Sequence, residues 1–237
     1  MNIVGIDASP HSTGLVKFIL DDNLEILEIK KLGFLSIKET KRKREETNYK
    51  DIINYPESLD FFNRTLFMHN YIFPFISGCE YACIEDYNIF GAGLVFQLAE
   101  FCSTLKFFLL NQGTKLRLIP PLSLKMYATN DGRSGKPEML ESFLKDSILK
   151  ELDLSYLPQI KTHKSGKYVG LKNKNGEPGL SDIVDAAWLV RLLHEELQIR
   201  KGIKSFSDLL PKHSEVLSKK TKANPIPIFQ KPFIERL

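Results

Sequence analysis

The first 35 residues contain three apolar runs joined by short polar turns, and this arrangement constrains the fold more than any other feature. The runs cover residues 2–8 ("NIVGIDA"), 13–20 ("TGLVKFIL") and 24–35 ("LEILEIKKLGFL"). Apolar runs of this length, bounded by Ser, Pro and Gly, are typical of β-strands. Because the connections are too short for a crossover helix, the sequence predicts an antiparallel meander.

Two further strands are predicted at residues 81–87 ("YACIEDY") and 115–121 ("KLRLIPP"). Helical spacing of apolar residues predicts helices at residues 57–73, 94–108, 121–128, 137–151 and 182–199. We expect Pro74 to stop or kink the first helix and Ser181 to cap the last. The order predicts an α/β fold: a mixed five-stranded sheet, the meander plus parallel strands, with helices on both faces.

The length of 237 residues suits one domain with additions, which we place at residues 1–200 with an extension at 201–237. No apolar run approaches the roughly 18 to 20 residues of a membrane span. The three cysteines lie in apolar segments and are expected to be reduced. Since Asp7 and Pro10 interrupt any signal-peptide pattern, a cytoplasmic location is expected.

Positive charge is concentrated in three segments. Residues 38–50 hold six basic and three acidic residues, residues 161–178 hold five and one, and residues 200–222 hold seven and two. The net charge of the chain is +4, so the remainder is acidic. We predict a basic loop at 38–56 and a basic insertion at 158–180. Either these are solvated loops, or they bind a polyanion such as DNA.

Four acidic residues stand out by their context. Asp7 ends the first strand and Glu85 lies in the fourth, while Asp182 and Asp185 are three residues apart in "SDIVDAAWLV" and therefore face the same side of a helix. Singly, each has a structural explanation, such as a turn cap or a stabiliser of the first helical turn. The small residues Ala186 and Ala187 would let this helix approach the sheet closely.

Together, the four carboxylates favour a metal site. The first and fourth strands become neighbours if the crossover returns beside the meander, and a helix packed across them brings its first turn to the same place. Converging carboxylates repel one another, and divalent cations relieve the repulsion. Oxygen ligands suit Mg²⁺ or Mn²⁺, and two such ions are a common arrangement for hydrolysing a phosphodiester. No organic cofactor and no membrane partner are expected.

Three motifs resemble those of the RuvC-type Holliday-junction resolvases, which have a ribonuclease H-like fold. They are "GIDASPHSTG", "CIEDY" and "DIVDAAW", and they occur in the family's order. The resemblance covers about residues 1–20, 80–150 and 180–195. It implies a structure-selective DNA endonuclease, with Asp7, Glu85, Asp182 and Asp185 as metal ligands. The basic loop, the insertion and the extension have no counterpart in the family's compact core and resemble elaborations of viral and phage members, which leaves the choice of branched substrate open.

The resemblance also points to "SLKMYATNDGRSGKPEML". In these resolvases one lysine lies in the helix after the fifth strand and another just before the next helix, and Lys125 and Lys136 take the matching positions. A lysine there would offset charge developing at the scissile phosphate. Arg133, in the same segment, is a further predicted DNA contact.

Other predicted DNA contacts lie in the polar segments. The family's aromatic wedge position is occupied by Asn88, so Tyr87 or Phe90 would have to stack on an unpaired base; a core position for these aromatics is the alternative. The basic insertion contributes the remaining predicted contacts, Lys164, Lys167, Lys172 and Lys174. Since a four-way junction has two-fold symmetry, a homodimer is expected, with an interface near residues 92–110.

Three other functions compete with junction resolution. A nuclease of the same fold could cut flaps, other branched DNA or RNA–DNA hybrids. The opening motif also resembles the first phosphate loop of the actin and sugar-kinase superfamily, but that superfamily requires a second lobe, and it leaves the helical D-x-x-D pattern unexplained. A non-catalytic nucleic-acid binding module is the third alternative, and loss of a metal carboxylate would be its expected signature.

Overall fold

The computed structural model describes residues 1–37, 51–86, 95–154, 180–220 and 225–236. In these ranges the chain forms one six-stranded mixed sheet with helices on both faces. The strands are β1 (Asn2–Asp7), β2 (Gly14–Leu20), β3 (Ile26–Ile37), β4 (Ile52–Pro56), β5 (Tyr81–Glu85) and β6 (Lys115–Ile119).

The strand order across the sheet is β4-β3-β2-β1-β5-β6. The pairs β1–β2 and β2–β3 are antiparallel, which confirms the predicted meander, and the other three pairs are parallel. Only β2 therefore runs against the rest. The other five strands end at one edge of the sheet, called here the carboxyl edge, where Asp7, Pro56, Glu85 and Ile119 lie.

The predicted count of five strands is wrong, because residues 52–56 of the predicted basic loop form β4. This short strand pairs in parallel with β3, with Gly33 opposite Ile52. Two of its five side chains, Ile52 and Tyr55, are buried. The strand gives little apolar signal in the sequence because it lies at the edge of the sheet, where pairing with one neighbour and burial of two side chains suffice.

Six α-helices pack on this sheet. They are α1 (Phe61–Ile76), α2 (Val95–Asn111), α3 (Pro121–Thr129), α4 (Lys136–Lys145), α5 (Leu180–Arg200) and α6 (Pro211–Ser218). Helices α3 to α6 contribute to the core on one face of the sheet, with Trp188 of α5 among its largest fully buried side chains. Helices α1 and α2 cover the other face, where Phe73 and Phe108 stack at 4.1 Å between ring centroids.

Several predicted helix boundaries shift. The first helix begins at Phe61 rather than residue 57, because the Asp60 carboxylate accepts a hydrogen bond from the Asn63 amide at 2.8 Å and so caps the helix. Pro74 lies in its last turn, and the helix ends two residues later. The helix predicted at 137–151 ends at Lys145 and is followed by a separate 3₁₀ turn. Helix α6 was not predicted.

The carboxyl-terminal residues pack against the edge strand β6. Ile234 forms an antiparallel bridge with Leu116, so these residues cover a sheet edge that would otherwise expose unpaired backbone groups. Arg117 on β6 forms a bidentate ion pair with Glu196, and its NH1 donates to the Pro232 carbonyl at 3.1 Å. The last described residues of the extension at 201–237 therefore cover the protein's own sheet edge.

The three cysteines are buried and form no disulfide, as predicted. Burial raises the pKa of Cys79 and Cys102 to about 11, which keeps both thiols protonated and unreactive near neutral pH. Among the helices that the structure describes, none has the length and apolar character needed to cross a membrane.

Candidate active site

Asp7 and Glu85 are the last residues of two neighbouring parallel strands. Ile6 pairs with Ile84, so the two carboxylates are next in register at the carboxyl edge. Both side chains are partly buried. Burial raises the pKa of both groups, and a side-chain hydrogen bond between them raises the pKa of Asp7 further and lowers that of Glu85. The strand pairing therefore brings together the acidic residues of the first two motifs.

Helix α5 lies in backbone contact with the sheet, and this places its first turn at the same edge. A β-carbon built on Gly14 would lie 2.1 Å from the carbonyl carbon and oxygen of Asp182, and one on Gly5 would lie 2.1 Å from the Ala186 carbonyl oxygen. Only residues without a side chain permit this approach. Since Gly14 is paired with Asp7 across the β1–β2 hairpin, the contact sets Asp182 beside Asp7.

The four acidic side chains form one electrostatic unit, called here the carboxylate cluster (Asp7, Glu85, Asp182 and Asp185). Burial and then the charges of the other three carboxylates raise the pKa of Asp7 well above its usual range. Burial and then the negative charge of Glu85 raise the pKa of Asp185 to about 8. Burial raises the pKa of Glu85 as well. Perturbed pKa values in several neighbouring carboxyl groups are characteristic of functional sites.

Two lysines face the carboxylate cluster. Lys136, the first residue of α4, donates to Ser181 Oγ at 2.6 Å and lies 3.4 Å from Asp182 Oδ1. Lys125, on α3, acts with Lys136 to lower the pKa of Glu85 and Asp185 against the effect of burial. The six residues that the sequence marks for metal binding and charge stabilisation are therefore brought together.

Ser181 has a different position from the predicted helix cap. Helix α5 begins at Leu180, two residues before its predicted start, so Ser181 lies inside the first turn. Its hydroxyl accepts from Lys136 and donates to Asp182 Oδ1 at 3.1 Å. The serine thus links the lysine of α4 to a carboxylate of α5 rather than satisfying a free amide.

The residue types fit a divalent cation. Carboxylate oxygens are the ligands that Mg²⁺ and Mn²⁺ take, and one buried oxygen, Asp182 Oδ2, has no hydrogen-bond partner. In the ranges described, no group of three or more acidic, His or Cys side chains is already arranged to hold a metal ion. Because ligands must be deprotonated, the hydrogen bond between Asp7 and Glu85 has to open when a cation binds.

A buried polar network supports α3, the helix that carries Lys125. Glu195 of α5 accepts from the Tyr127 hydroxyl at 2.7 Å, lies 2.9 Å from His213 Nδ1 and pairs with Arg191 at 2.8 Å. Tyr127 is on α3, two residues from Lys125, and His213 is on α6. The network therefore joins three helices behind the lysine, and α6 belongs to a segment in which the sequence pattern is weak.

Of the other predicted DNA contacts, the structure describes Arg133, which is not part of this cluster. Arg133 is exposed in the turn before α4, where its amide donates to Asp131 Oδ1 at 2.9 Å. Six predicted contacts lie outside the described residues: Tyr87, Phe90, Lys164, Lys167, Lys172 and Lys174. Most of the basic loop and the basic insertion lie outside them too.

Sequence reasoning identified the acidic residues but missed the glycines that position them. Gly5 interrupts the first apolar run, and Gly14 begins the second. An isolated glycine in a strand pattern is a signal of close backbone approach, so this information was present in the sequence. The contacts of Glu195 gave no such signal, because His213 and Tyr127 are distant from it along the chain.

Solved structures that are similar to this chain include two of Thermus thermophilus RuvC. No protein-family model matches the sequence, and no curated protein sequence matches it. The fold is similar to a Thermus thermophilus RuvC structure, at 12% identity and a TM-score of 0.47, covering 85% of this chain and 97% of that one. It is also similar to T. thermophilus RuvC in complex with Holliday junction substrate, at 13% identity, the same TM-score and the same coverage. Structural similarity with a TM-score of 0.47 and 12 to 13% identity does not itself decide the activity of this chain.

Proposed function

We propose that the protein is a divalent-metal-dependent, structure-selective DNA endonuclease that resolves Holliday junctions or related branched DNA. One observation carries the proposal: four carboxylates from β1, β5 and α5 converge at the carboxyl edge, with two lysines beside them. A purely structural role explains this poorly, because partly buried carboxylates that repel one another destabilise the folded state.

The proposed ligands of two Mg²⁺ or Mn²⁺ ions are Asp7, Glu85, Asp182 and Asp185. Bound ions supply an activated water and stabilise the leaving oxygen of a phosphodiester. The chain's own contribution is to hold the carboxylates in place through the strand pairing and the glycine contacts. Lys136 and Lys125 offset the negative charge that accumulates on the phosphate. By family resemblance, the products carry 5′-phosphate and 3′-hydroxyl ends.

The proposed active form is a homodimer, since paired cuts across a two-fold symmetric junction require two active sites. Helix α2 provides a candidate interface. Phe96 is 87% exposed and Phe107 is 69% exposed. These rings are eleven residues apart, which is close to three helical turns, so they lie on one face of the helix. Large exposed apolar side chains on a shared face are typical of interaction surfaces.

A cleavage panel tests the proposal. End-labelled four-way, three-way, flapped and linear DNA and an RNA–DNA hybrid are incubated with the protein in Mg²⁺ or Mn²⁺, with EDTA as the control. We expect metal-dependent cleavage of branched DNA in preference to linear DNA. Preferred cleavage of a flap or of the hybrid would assign a different substrate to the same site. No cleavage of any substrate in either metal would contradict the proposal.

A further inference from the structure

Arg64 occupies a position on α1 that the helical spacing assigns to the core. Met68, Ile72 and Ile76 follow it at intervals of four residues, and all three are fully buried. Arg64 is only 8% exposed. Charged side chains are almost never buried to this extent unless they are paired.

The Arg64 guanidinium has no counter-ion among the residues that the structure describes. Its Nε is buried without a hydrogen-bond partner. The acidic residue one turn earlier, Asp60, accepts from the amide and the side chain of Asn63 at 2.8 and 2.7 Å. The Arg64 charge contributes to lowering the pKa of Asp60 after these bonds, but the two side chains form no ion pair among the described residues. A buried cation without a partner is unfavourable in the free protein, so its presence requires an explanation.

The position of Arg64 in the fold relates it to the carboxylate cluster. Helix α1 follows β4, so its amino-terminal end lies at the carboxyl edge of the sheet, on the face opposite α5. Helical side chains tilt toward the amino terminus of their helix. The Arg64 side chain is therefore directed along α1 toward the edge where Asp7 and Glu85 lie.

A histidine side chain lies near Arg64. The Tyr55 hydroxyl, at the end of β4, donates to the His11 carbonyl and so ties β4 to the turn between β1 and β2. Desolvation and then the positive charge of Arg64 lower the pKa of His11, so the guanidinium charge acts on the imidazole. His11 is exposed, and it lies four residues after Asp7 along the chain. His11 is therefore accessible from solvent at the carboxyl edge, with Arg64 buried behind it.

We infer that Arg64 and His11 form a binding site for a backbone phosphate of the DNA substrate, separate from the scissile phosphate. The inference rests on the proposed function for the identity of the ligand. Lys125 and Lys136 approach the carboxylate cluster from the α5 face, whereas Arg64 approaches from the α1 face. A DNA strand that crosses the carboxyl edge would meet the two lysines on one face of the sheet and Arg64 on the other. Its phosphate would supply the counter-ion that Arg64 lacks, in a charge-assisted hydrogen bond.

The salt dependence of DNA binding tests the inference. Fluorescence anisotropy with a labelled four-way junction and a linear duplex, both in EDTA, gives the slope of log K against log salt concentration. Removing one phosphate contact should reduce the magnitude of that slope by about one and weaken binding to both DNAs about tenfold. We expect this result for Arg64→Gln and a smaller loss for His11→Gln. The matched control is Arg236→Gln, an exposed arginine near Leu116 at the opposite edge of the sheet, which should leave the slope unchanged.

Thermal stability separates a binding role from a structural one. Replacing an unpaired buried cation by an apolar side chain of similar length removes a desolvation penalty. Arg64→Met should therefore melt at the same temperature as the wild type or higher, while it loses DNA affinity. In inorganic phosphate, compared with chloride at equal ionic strength, the wild-type melting temperature should rise and that of Arg64→Met should not.

The possible failures are distinguishable. An unchanged salt slope in Arg64→Gln, in a protein that still cleaves branched DNA, would overturn the phosphate site and leave the proposed function intact. A lower melting temperature in Arg64→Met with an unchanged slope would assign Arg64 a structural role. Stabilisation by phosphate in a wild-type protein that binds no DNA would overturn both the DNA assignment and the proposed function.

Discussion

Gly14 and Asp182 are in backbone contact, with 2.1 Å between an ideal β-carbon on the glycine and the aspartate carbonyl group. Any side chain at this position must displace the first turn of α5, and Asp182 and Asp185 move with it. We predict that Gly14→Ala destabilises the protein by about 1 to 3 kcal/mol and abolishes metal-dependent cleavage. Chemical unfolding measures the first effect and a junction cleavage assay measures the second.

Gly33→Ala is the matched control, because Gly33 is the residue paired with Gly14 in the next strand. A β-carbon at Gly33 would meet only the side-chain ends of Ile52 and Ile183, at 2.8 and 2.9 Å. Those methyl groups can shift, whereas the Asp182 backbone cannot. Gly33→Ala should therefore retain more cleavage than Gly14→Ala. Equal losses in the two variants would contradict the explanation from backbone contact.

Repulsion within the carboxylate cluster predicts an unusual pH dependence in the metal-free protein. The pKa of Asp185 is raised from 3.8 to about 8 on folding, so its contribution to stability is present below pH 4 and is lost as the pH rises toward 8. Asp185→Asn should therefore melt at a higher temperature than the wild type at pH 8, with a smaller difference at pH 5. Each kcal/mol corresponds to about 2 to 4 °C. Calorimetry in EDTA measures the two melting temperatures. An Asp185→Asn variant that melts below the wild type at pH 8 would contradict the prediction.

The Glu195 network predicts the opposite pH dependence. Burial opposes ionisation of Glu195, but His213, Arg191 and Tyr127 outweigh it and lower the pKa of Glu195 to about 2. A depressed pKa stabilises the fold above about pH 4.5, and this stabilisation is lost as the pH falls toward 2. Glu195→Gln should cost about 3 kcal/mol at pH 7, because it removes the closer carboxylate of the buried Arg191, which keeps only Asp146 at 3.6 Å.

The control for this prediction is Glu215→Gln, which removes one member of the exposed Lys219–Glu215 pair. Exposed pairs contribute about 0 to 1 kcal/mol. Urea unfolding of both variants between pH 3 and 8 checks the prediction. A wild-type acid transition that is unchanged in Glu195→Gln would show that the network does not set acid stability.

Glu196 and Arg117 anchor the carboxyl-terminal residues to β6. Glu196 accepts from Arg117 and, at 2.8 Å, from Arg200, and both arginines also donate to the Lys231 carbonyl. Glu196→Gln should release this segment and accelerate chymotryptic cleavage after Phe233. Glu235→Gln, which removes the exposed pair with Lys115, should leave the cleavage rate close to that of the wild type. Equal proteolysis rates in wild type and Glu196→Gln would argue against the anchor.

The sequence predicted the elements whose signals are local. The meander, the two parallel strands and the D-x-x-D helix each follow from apolar spacing and turn residues, and they fix where Asp7, Glu85 and Asp182 must lie. The edge strand β4 and helix α6 were missed because their stability comes from contacts with distant segments, such as His213 with Glu195. Arg64 was missed for the same reason, since its burial depends on how α1 packs.

Single-turnover cleavage of a labelled four-way junction by wild-type protein and Asp7→Asn tests the central claim most directly. Asp7→Asn keeps the size of the side chain but removes one proposed metal ligand, so the folded protein and its junction binding should persist. We predict metal-dependent cleavage by the wild type and a loss of at least about a thousandfold in the variant. Cleavage by Asp7→Asn at close to the wild-type rate in Mg²⁺ or Mn²⁺ would contradict the assignment of the active site.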